Sequence, residues 1–267
     1  MKKISHGGNI YKKAKEMGIR EEDILDFSAN ISPLGLPEHI RKAMIEAIDG
    51  TINYPDPDCS RLKEAISKQD NVPESHITCG NGGADLLYRL AFGLHPKKVL
   101  LPAPAFVEYE EALSAAGAQM EYYLMRDDFV IKEDILEQIT EETDFVVICN
   151  PNNPTGILTE KELILRVLER AKETNTFVMA DECFLEICQN ESEYTVKPFI
   201  EKYENLIILK SFTKLYAIPG VRLGYILAGS EDVIAKVNRT GQAWSVSHIA
   251  QCAGVAALSD NVYKERV

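Results

Sequence analysis

NLIILKSFTKLYAIPGVRLGYILAG, residues 205 to 229, decides the fold. Two nearly continuous apolar runs, NLIILKSF and LGYILAG, bracket a turn that carries Lys214 and Arg222. Runs this rich in Ile and Leu, with so little polar alternation, are strands buried on both faces, as in a sheet covered by helices. Lys214 then stands just past the carboxyl end of a buried strand, where open α/β sheets bind ligands. A lysine there can form a Schiff base with an aldehyde once desolvation and a neighbouring cation lower its proton affinity. Ser211, Thr213 and Arg222 add donors suited to a phosphate.

Outward from this stretch the strand pattern repeats in KKVLLPAPAF (97 to 106), DFVVICN (144 to 150) and TFVMADECF (176 to 184), with a short strand signal in HITC (76 to 79). Longer amphipathic runs lie between them. LPEHIRKAMIEAIDG (36 to 50) has Pro37 near its start, apolar residues at helical spacing and Gly50 as a stop, and Thr159 with Glu162 predicts a capping box opening TEKELILRVLERAKETN. The alternation is that of an α/β protein. The 267 residues, 45% hydrophobic and 26% charged, suffice for one large domain and a real core.

Composition also excludes function classes. Mean hydropathy of -0.15, with no apolar run near the length of a span, argues against the membrane, and the N-terminal MKKISHGGN lacks the apolar stretch of a secretory leader. The expectation is a cytoplasmic protein. Six cysteines without CxxC spacing read as reduced core thiols, and no metal is implied. A net charge of -12 opposes nucleic-acid binding, so any anionic ligand must be held by local donors.

Three further motifs fall where strands end. CGNGGADLLYRLAFGL (79 to 94) sets glycines directly before a helical pattern, which either points free backbone amides at an anion or merely makes a tight turn. NPNNPTG (150 to 156) is, by itself, a turn stabilised by Asn side chains. Asp181, in ADECF, ends the strongest strand, where a carboxylate is costly to bury without a cationic partner; a helix cap or ion pair is the alternative to a site. A phosphate-bearing aldehyde that also needs a carboxylate opposite a ring nitrogen describes pyridoxal 5′-phosphate.

G-x-G, NPNNPTG, ADE and SFTK, with R-L-G eight residues beyond the lysine, together resemble the fold-type I aminotransferase superfamily of pyridoxal-phosphate enzymes, over residues 6 to about 255. That resemblance implies an α/β three-layer large domain with a mostly parallel central sheet. It implies Lys214 as the Schiff-base lysine and proton shuttle, and Asp181 as the carboxylate on the pyridine nitrogen. Asn153 matches the residue on the ring's phenolic oxygen, and Phe106 the aromatic stacked on the ring. Gly82, Gly83 and Ala84 match the backbone amides that take the cofactor phosphate, with Ser211, Thr213 and Arg222 completing its donors. Tyr54, in NYPDP, matches a tyrosine given to the phosphate by a partner subunit, which implies a homodimer. Phe184 departs from the pattern, since many relatives carry tyrosine there.

HGGN (6 to 9) and DFSANISPLG (26 to 35) resemble the arm of the L-threonine O-3-phosphate decarboxylases of cobalamin biosynthesis, as does WSVS (244 to 247); histidinol-phosphate aminotransferases are their nearest cousins. By that likeness His6 and Asn30 reach the phosphate of a phosphorylated amino-acid substrate, and the activity is decarboxylation, with the aminotransferase reaction or an inactive cofactor-binding fragment as alternatives. The expected organisation is an arm (1 to 32), a cofactor-binding large domain (33 to 258) and the start of a truncated small domain (259 to 267). The last helical pattern, SHIAQCAGVAALSDNVYKERV, stops without a cap, so the small domain is expected to be largely absent.

Overall fold

The computed structural model describes residues 7–259 and 261–267; His6 lies outside them. Among the described residues the chain builds one seven-stranded sheet from β1 (Ile77–Gly80), β2 (Lys98–Ala103), β3 (Gln119–Leu124), β4 (Phe145–Cys149), β5 (Phe177–Asp181), β6 (Leu206–Ser211) and β7 (Gly224–Ala228). Their order is β1-β7-β6-β5-β4-β2-β3. β7 runs antiparallel to both β6 and β1, and every other pairing is parallel. The mostly parallel α/β sheet expected from the sequence is therefore present.

Helices α1 (Ile10–Met17), α2 (Glu38–Glu46), α3 (Ser60–Asp70), α4 (Gly83–Leu94), α5 (Val107–Ala115), α6 (Ile135–Gln138), α7 (Lys161–Glu173), α8 (Glu191–Tyr194), α9 (Glu231–Thr240), α10 (His248–Leu258) and α11 (Asn261–Arg266) complete the chain. They cover both faces of the sheet. Met179, Ile207, Leu209 and Ile226 point to the layer formed with α4, α5 and α9, whereas Val178, Ala180, Ile208 and Leu227 point to the layer of α3, α7 and α10. Period-two alternation along each strand makes the two cores, and it explains why the strands read as unbroken apolar runs.

One strand was not foreseen, and two local expectations fail. β3 carries QMEYYL with mostly exposed side chains; as an edge strand it needs no apolar face, so hydropathy did not reveal it. Thr159 caps no helix. Its N–H donates to Asn150 Oδ1 at 2.8 Å and its carbonyl accepts from Asn150 Nδ2 at 3.0 Å, which ties it to the preceding loop, and α7 starts later with Glu160 at the cap position. Gly50 does not stop α2, which ends at Glu46 and passes into a 3-10 turn over Ile48–Ile52.

Candidate active site

Every parallel strand of the sheet's centre delivers a residue to one cleft at its carboxyl edge. β5 ends in Asp181, β6 in Ser211, β4 leads to Asn153 and β2 leads to Phe106; all four line a cavity of about 320 Å³. Gly83, Ala84, Thr213, Lys214 and Arg222 line the same cavity. Nine of the residues singled out from the sequence are thus brought together by the topology.

The cleft has an anion cradle on one side. α4 begins at Gly83 with no side-chain cap, so its first backbone N–H groups are left for a ligand. Gly82 has φ +87°, and a Cβ built on it would lie 2.7 Å from Arg222 Nη2, so the guanidinium packs directly on the glycine backbone. Gly224 permits this closure: a Cβ there would meet the Lys210 carbonyl at 2.9 Å and the Gly83 nitrogen at 3.2 Å. Arg222 itself holds a left-handed φ of 57°, a strained state for a non-glycine residue that persists when surroundings dictate it. Ser211 Oγ and Thr213 Oγ1 stand 2.8 Å apart beside it.

The opposite side presents a buried carboxylate. Asp181 is 6% exposed; its Oδ2 accepts from the Tyr109 hydroxyl at 2.5 Å and its Oδ1 from the Cys183 N–H at 2.9 Å. Among the described residues no ion pair includes Asp181; the donors to its two oxygens are a hydroxyl and a backbone N–H. Burial, reinforced by the Asp181 charge, pushes the Tyr109 hydroxyl well above its ordinary value, so Tyr109 stays protonated and donates. Its ring also meets Phe106 edge to face at 5.6 Å. Sequence reasoning missed Tyr109; the signal was its position three residues after Phe106, one helical turn along α5.

Between cradle and carboxylate sits Lys214. Burial lowers its amine's proton affinity, Arg222 acts in the same direction, and Cys183 and Asp181 oppose them. The Phe184 ring lies 5.4 Å below Nζ. Asn150 and Asn152 stabilise the NPNNPTG turn as expected, Asn152 Nδ2 donating to the Pro104 carbonyl at 3.1 Å, while Asn153 faces the cleft.

Two expected residues stand elsewhere. Asn30 lines a second cavity, of about 460 Å³, that shares Asn153 and Phe184 with the first. Tyr54 lies outside its own cleft, 80% exposed and stacked on Trp244 at 4.6 Å.

An anion cradle at a helix N-terminus, a desolvated lysine and an unpaired buried carboxylate around one cavity fit a cofactor with a phosphate, a carbonyl and a basic ring nitrogen. This donor set is that of pyridoxal 5′-phosphate enzymes. The aminotransferase class I and II family profile matches residues 22–266, and the chain belongs to that family, whose cofactor is pyridoxal 5′-phosphate. It is 36% identical over 263 residues to the threonine-phosphate decarboxylase of Salmonella typhimurium, covering 98% of this chain and 72% of that protein. It is 34% identical over 262 residues to histidinol-phosphate aminotransferase 2 of Ralstonia nicotianae, covering 97% and 70%. The crystal structure of the histidinol-phosphate aminotransferase from Clostridium acetobutylicum superposes with a TM-score of 0.85 at 30% identity, over 91% of this chain and 72% of that one. Among the described residues, no helix is long and apolar enough to cross a membrane.

Proposed function

We propose that the chain decarboxylates L-threonine O-3-phosphate to (R)-1-amino-2-propanol O-2-phosphate, a step of cobalamin biosynthesis, as half of a homodimer. The unpaired Asp181 carboxylate facing Lys214's cleft is the observation that carries the cofactor assignment. In this proposal the Gly83 and Ala84 amides, after Gly82, hold the phosphate together with Ser211, Thr213 and Arg222. Asp181 would hold the ring nitrogen, Asn153 the phenolic oxygen and Phe106 the ring face, with Lys214 placed to take the aldehyde carbon. The chemistry that group supplies when bound is an electron sink for the bond broken at the substrate α-carbon. Lys214 Nζ, released once the substrate amine takes its place, would supply the proton that replaces the departing carbon dioxide. Phe106 and Tyr109 exclude water from the floor where the Asp181 charge must persist.

The decarboxylase reading is supported by the likeness to a threonine-phosphate decarboxylase over 98% of the chain, at an identity of 36% that a histidinol-phosphate aminotransferase matches over 91%, and by Asn30, which lines the cavity adjoining the cleft, as a residue binding the far end of a substrate should. His6 is proposed to assist it. Dimer formation is supported by large apolar side chains left exposed on and near the arm, Phe27 and Ile52 both at 88%, a pattern that marks protein interfaces. The high structural likeness to a histidinol-phosphate aminotransferase supports a second reading, amino transfer from a histidinol-phosphate-type substrate. Incubating the cofactor-loaded protein with L-threonine O-3-phosphate is expected to yield aminopropanol phosphate and carbon dioxide. Glutamate formed from histidinol phosphate and 2-oxoglutarate, without aminopropanol phosphate, assigns the second reading instead. Neither product with the cofactor bound leaves a cofactor-binding fragment.

A further inference from the structure

A lysine that must meet an aldehyde needs its backbone held, and the turn bearing Lys214 is held from outside. The Lys214 carbonyl accepts from the Ser32 N–H at 3.0 Å and from the Ala217 N–H at 3.4 Å. Ser32 is buried, and its hydroxyl lies 3.0 Å from that of Tyr263, in α11. Tyr263 spends its proton on the Gly35 carbonyl at 2.8 Å, so Ser32 is the donor in the Ser32–Tyr263 bond. The Tyr263 ring stacks on Tyr216 with centroids 6.1 Å apart, and Tyr216 stacks on Phe212 at 6.0 Å. One side chain therefore grips the segment before Lys214's anchor, at Ser32 and Gly35, and the ring two residues after Lys214.

The neighbouring residue of α11 fastens the helix. Lys264 Nζ donates to Glu191 at 2.9 Å and to Glu186 at 3.3 Å. Both carboxylates also face Lys210 Nζ, at 3.9 and 3.8 Å, together with Glu182 at 3.9 Å. The Lys210 ammonium is fully buried and makes no hydrogen bond, so it depends on these carboxylates, with Asp70 beyond them, and a second cation on two of them matters. Glu182 and Lys210 adjoin Asp181 and Ser211 in the chain, on the other face of the sheet from the cleft.

We propose that Tyr263 is a positioning residue for Lys214, its hydroxyl fixing the Ser32 backbone that holds the Lys214 carbonyl and its ring fixing Tyr216. This rests on Lys214 being the reactive amine. Relaxing the turn admits water to Nζ, whose surroundings are Asp181, Cys183 and Arg222, with Glu108 and Tyr109 across the cleft on α5. Since burial is the largest influence lowering Lys214's proton affinity, relaxation raises it.

The test is competitive labelling of the cofactor-free protein with acetic anhydride across pH, read at Lys214 by peptide mass spectrometry. Tyr263→Phe keeps the ring and removes the hydroxyl; Ser32→Ala removes its partner. Each is expected to raise the proton affinity of Lys214 by up to roughly fivefold, the factor one net hydrogen bond is worth. The double variant should rise by less than the sum of the two single shifts, because the Ser32–Tyr263 bond is lost in both, while Tyr263→Phe alone also loses the bond to the Gly35 carbonyl and Ser32→Ala alone the one from the Leu34 N–H. Tyr203→Phe, which removes a buried-ring tyrosine's hydroxyl bond to Glu169 at the far edge of the sheet, should leave it unchanged. Unmoved midpoints in Tyr263→Phe and Ser32→Ala, or a shift equal to that of Tyr203→Phe, overturn the proposal and leave Tyr263 a packing residue. The anhydride reads the amine whether or not a cofactor bonds there, so borohydride trapping on another residue would sink the Lys214 assignment separately.

Discussion

Gly82→Ala isolates the phosphate cradle. Two costs follow from the geometry. Gly82 holds φ +87° with ψ 170°, a region closed to residues with a Cβ, and forcing alanine into it costs about 1–3 kcal/mol. The added carbon would also stand 2.7 Å from Arg222 Nη2 and 3.0 Å from Cζ, so the guanidinium must move off the α4 N-terminus. Losing one charge-assisted bond to a phosphate costs about 1.5–3 kcal/mol, or roughly ten- to a hundredfold in affinity. The assay compares the dissociation constants of pyridoxal 5′-phosphate and of pyridoxal, which has the same aldehyde and ring without the phosphate. Only the phosphorylated form should weaken. Gly117→Ala is the control: its φ is +93°, but a Cβ there meets nothing within 4 Å, so it is expected to lose stability by strain alone and keep both affinities. If Gly82→Ala weakened both ligands equally, or neither, the phosphate would not lie against Gly82 and Arg222.

Lys214→Ala should abolish the near-visible absorbance of bound cofactor while leaving the far-ultraviolet dichroism of the fold; retained absorbance that borohydride fixes to the chain would refute the assignment. Tyr109→Phe removes one of the two bonds made to Asp181 and should lower the melting temperature by about 5 °C, given about 1.5–3 kcal/mol for a bond to a charge, with an unchanged melt counting against that bond. Lys214, lowered by burial, should capture pyridoxal 5′-phosphate faster as pH rises, levelling off below the ordinary lysine value of about 10.4. The unfolded chain binds that proton more tightly, so Lys214 makes stability rise with pH across the same window; a capture profile that levels only at the ordinary value would show a solvated amine.

The sheet was legible because its central strands are apolar on both faces: VVIC of β4 and LIIL of β6 can be little else in a chain of this charge. β3 was illegible for the complementary reason, since QMEYYL at the edge shares its pattern with any half-exposed segment. The capping box failed because Thr159 meets the structural need of Asn150, a contact nine residues away that a four-residue pattern cannot represent. The cleft was read more fully than the fold. Glycine, asparagine, aspartate and lysine motifs keep a fixed order along the chain, and each strand carries its motif to the same edge.

What the motifs could not disclose is the division of labour between adjacent residues. In ADE and LKS, an ionisable or polar residue on the cleft side is followed or preceded by one of opposite destination: Asp181 and Ser211 face the cavity, Glu182 and Lys210 the interior beyond the sheet. Composition makes the four equivalent, yet the pleat separates them into a binding site and a buried ion cluster. Burial raises Glu182's affinity for its proton, and Lys210, which burial alone would discharge, is instead held charged by Glu186, Glu182, Asp70 and Glu191. A cluster of this kind gives little net stability but fixes which way the strands and α11 must register, because any slip would strand a charge. The same slip would move Asp181 to the wrong face. Register at the carboxyl edge is thus enforced twice, once by apolar burial and once by Lys210, and the site inherits its geometry from both.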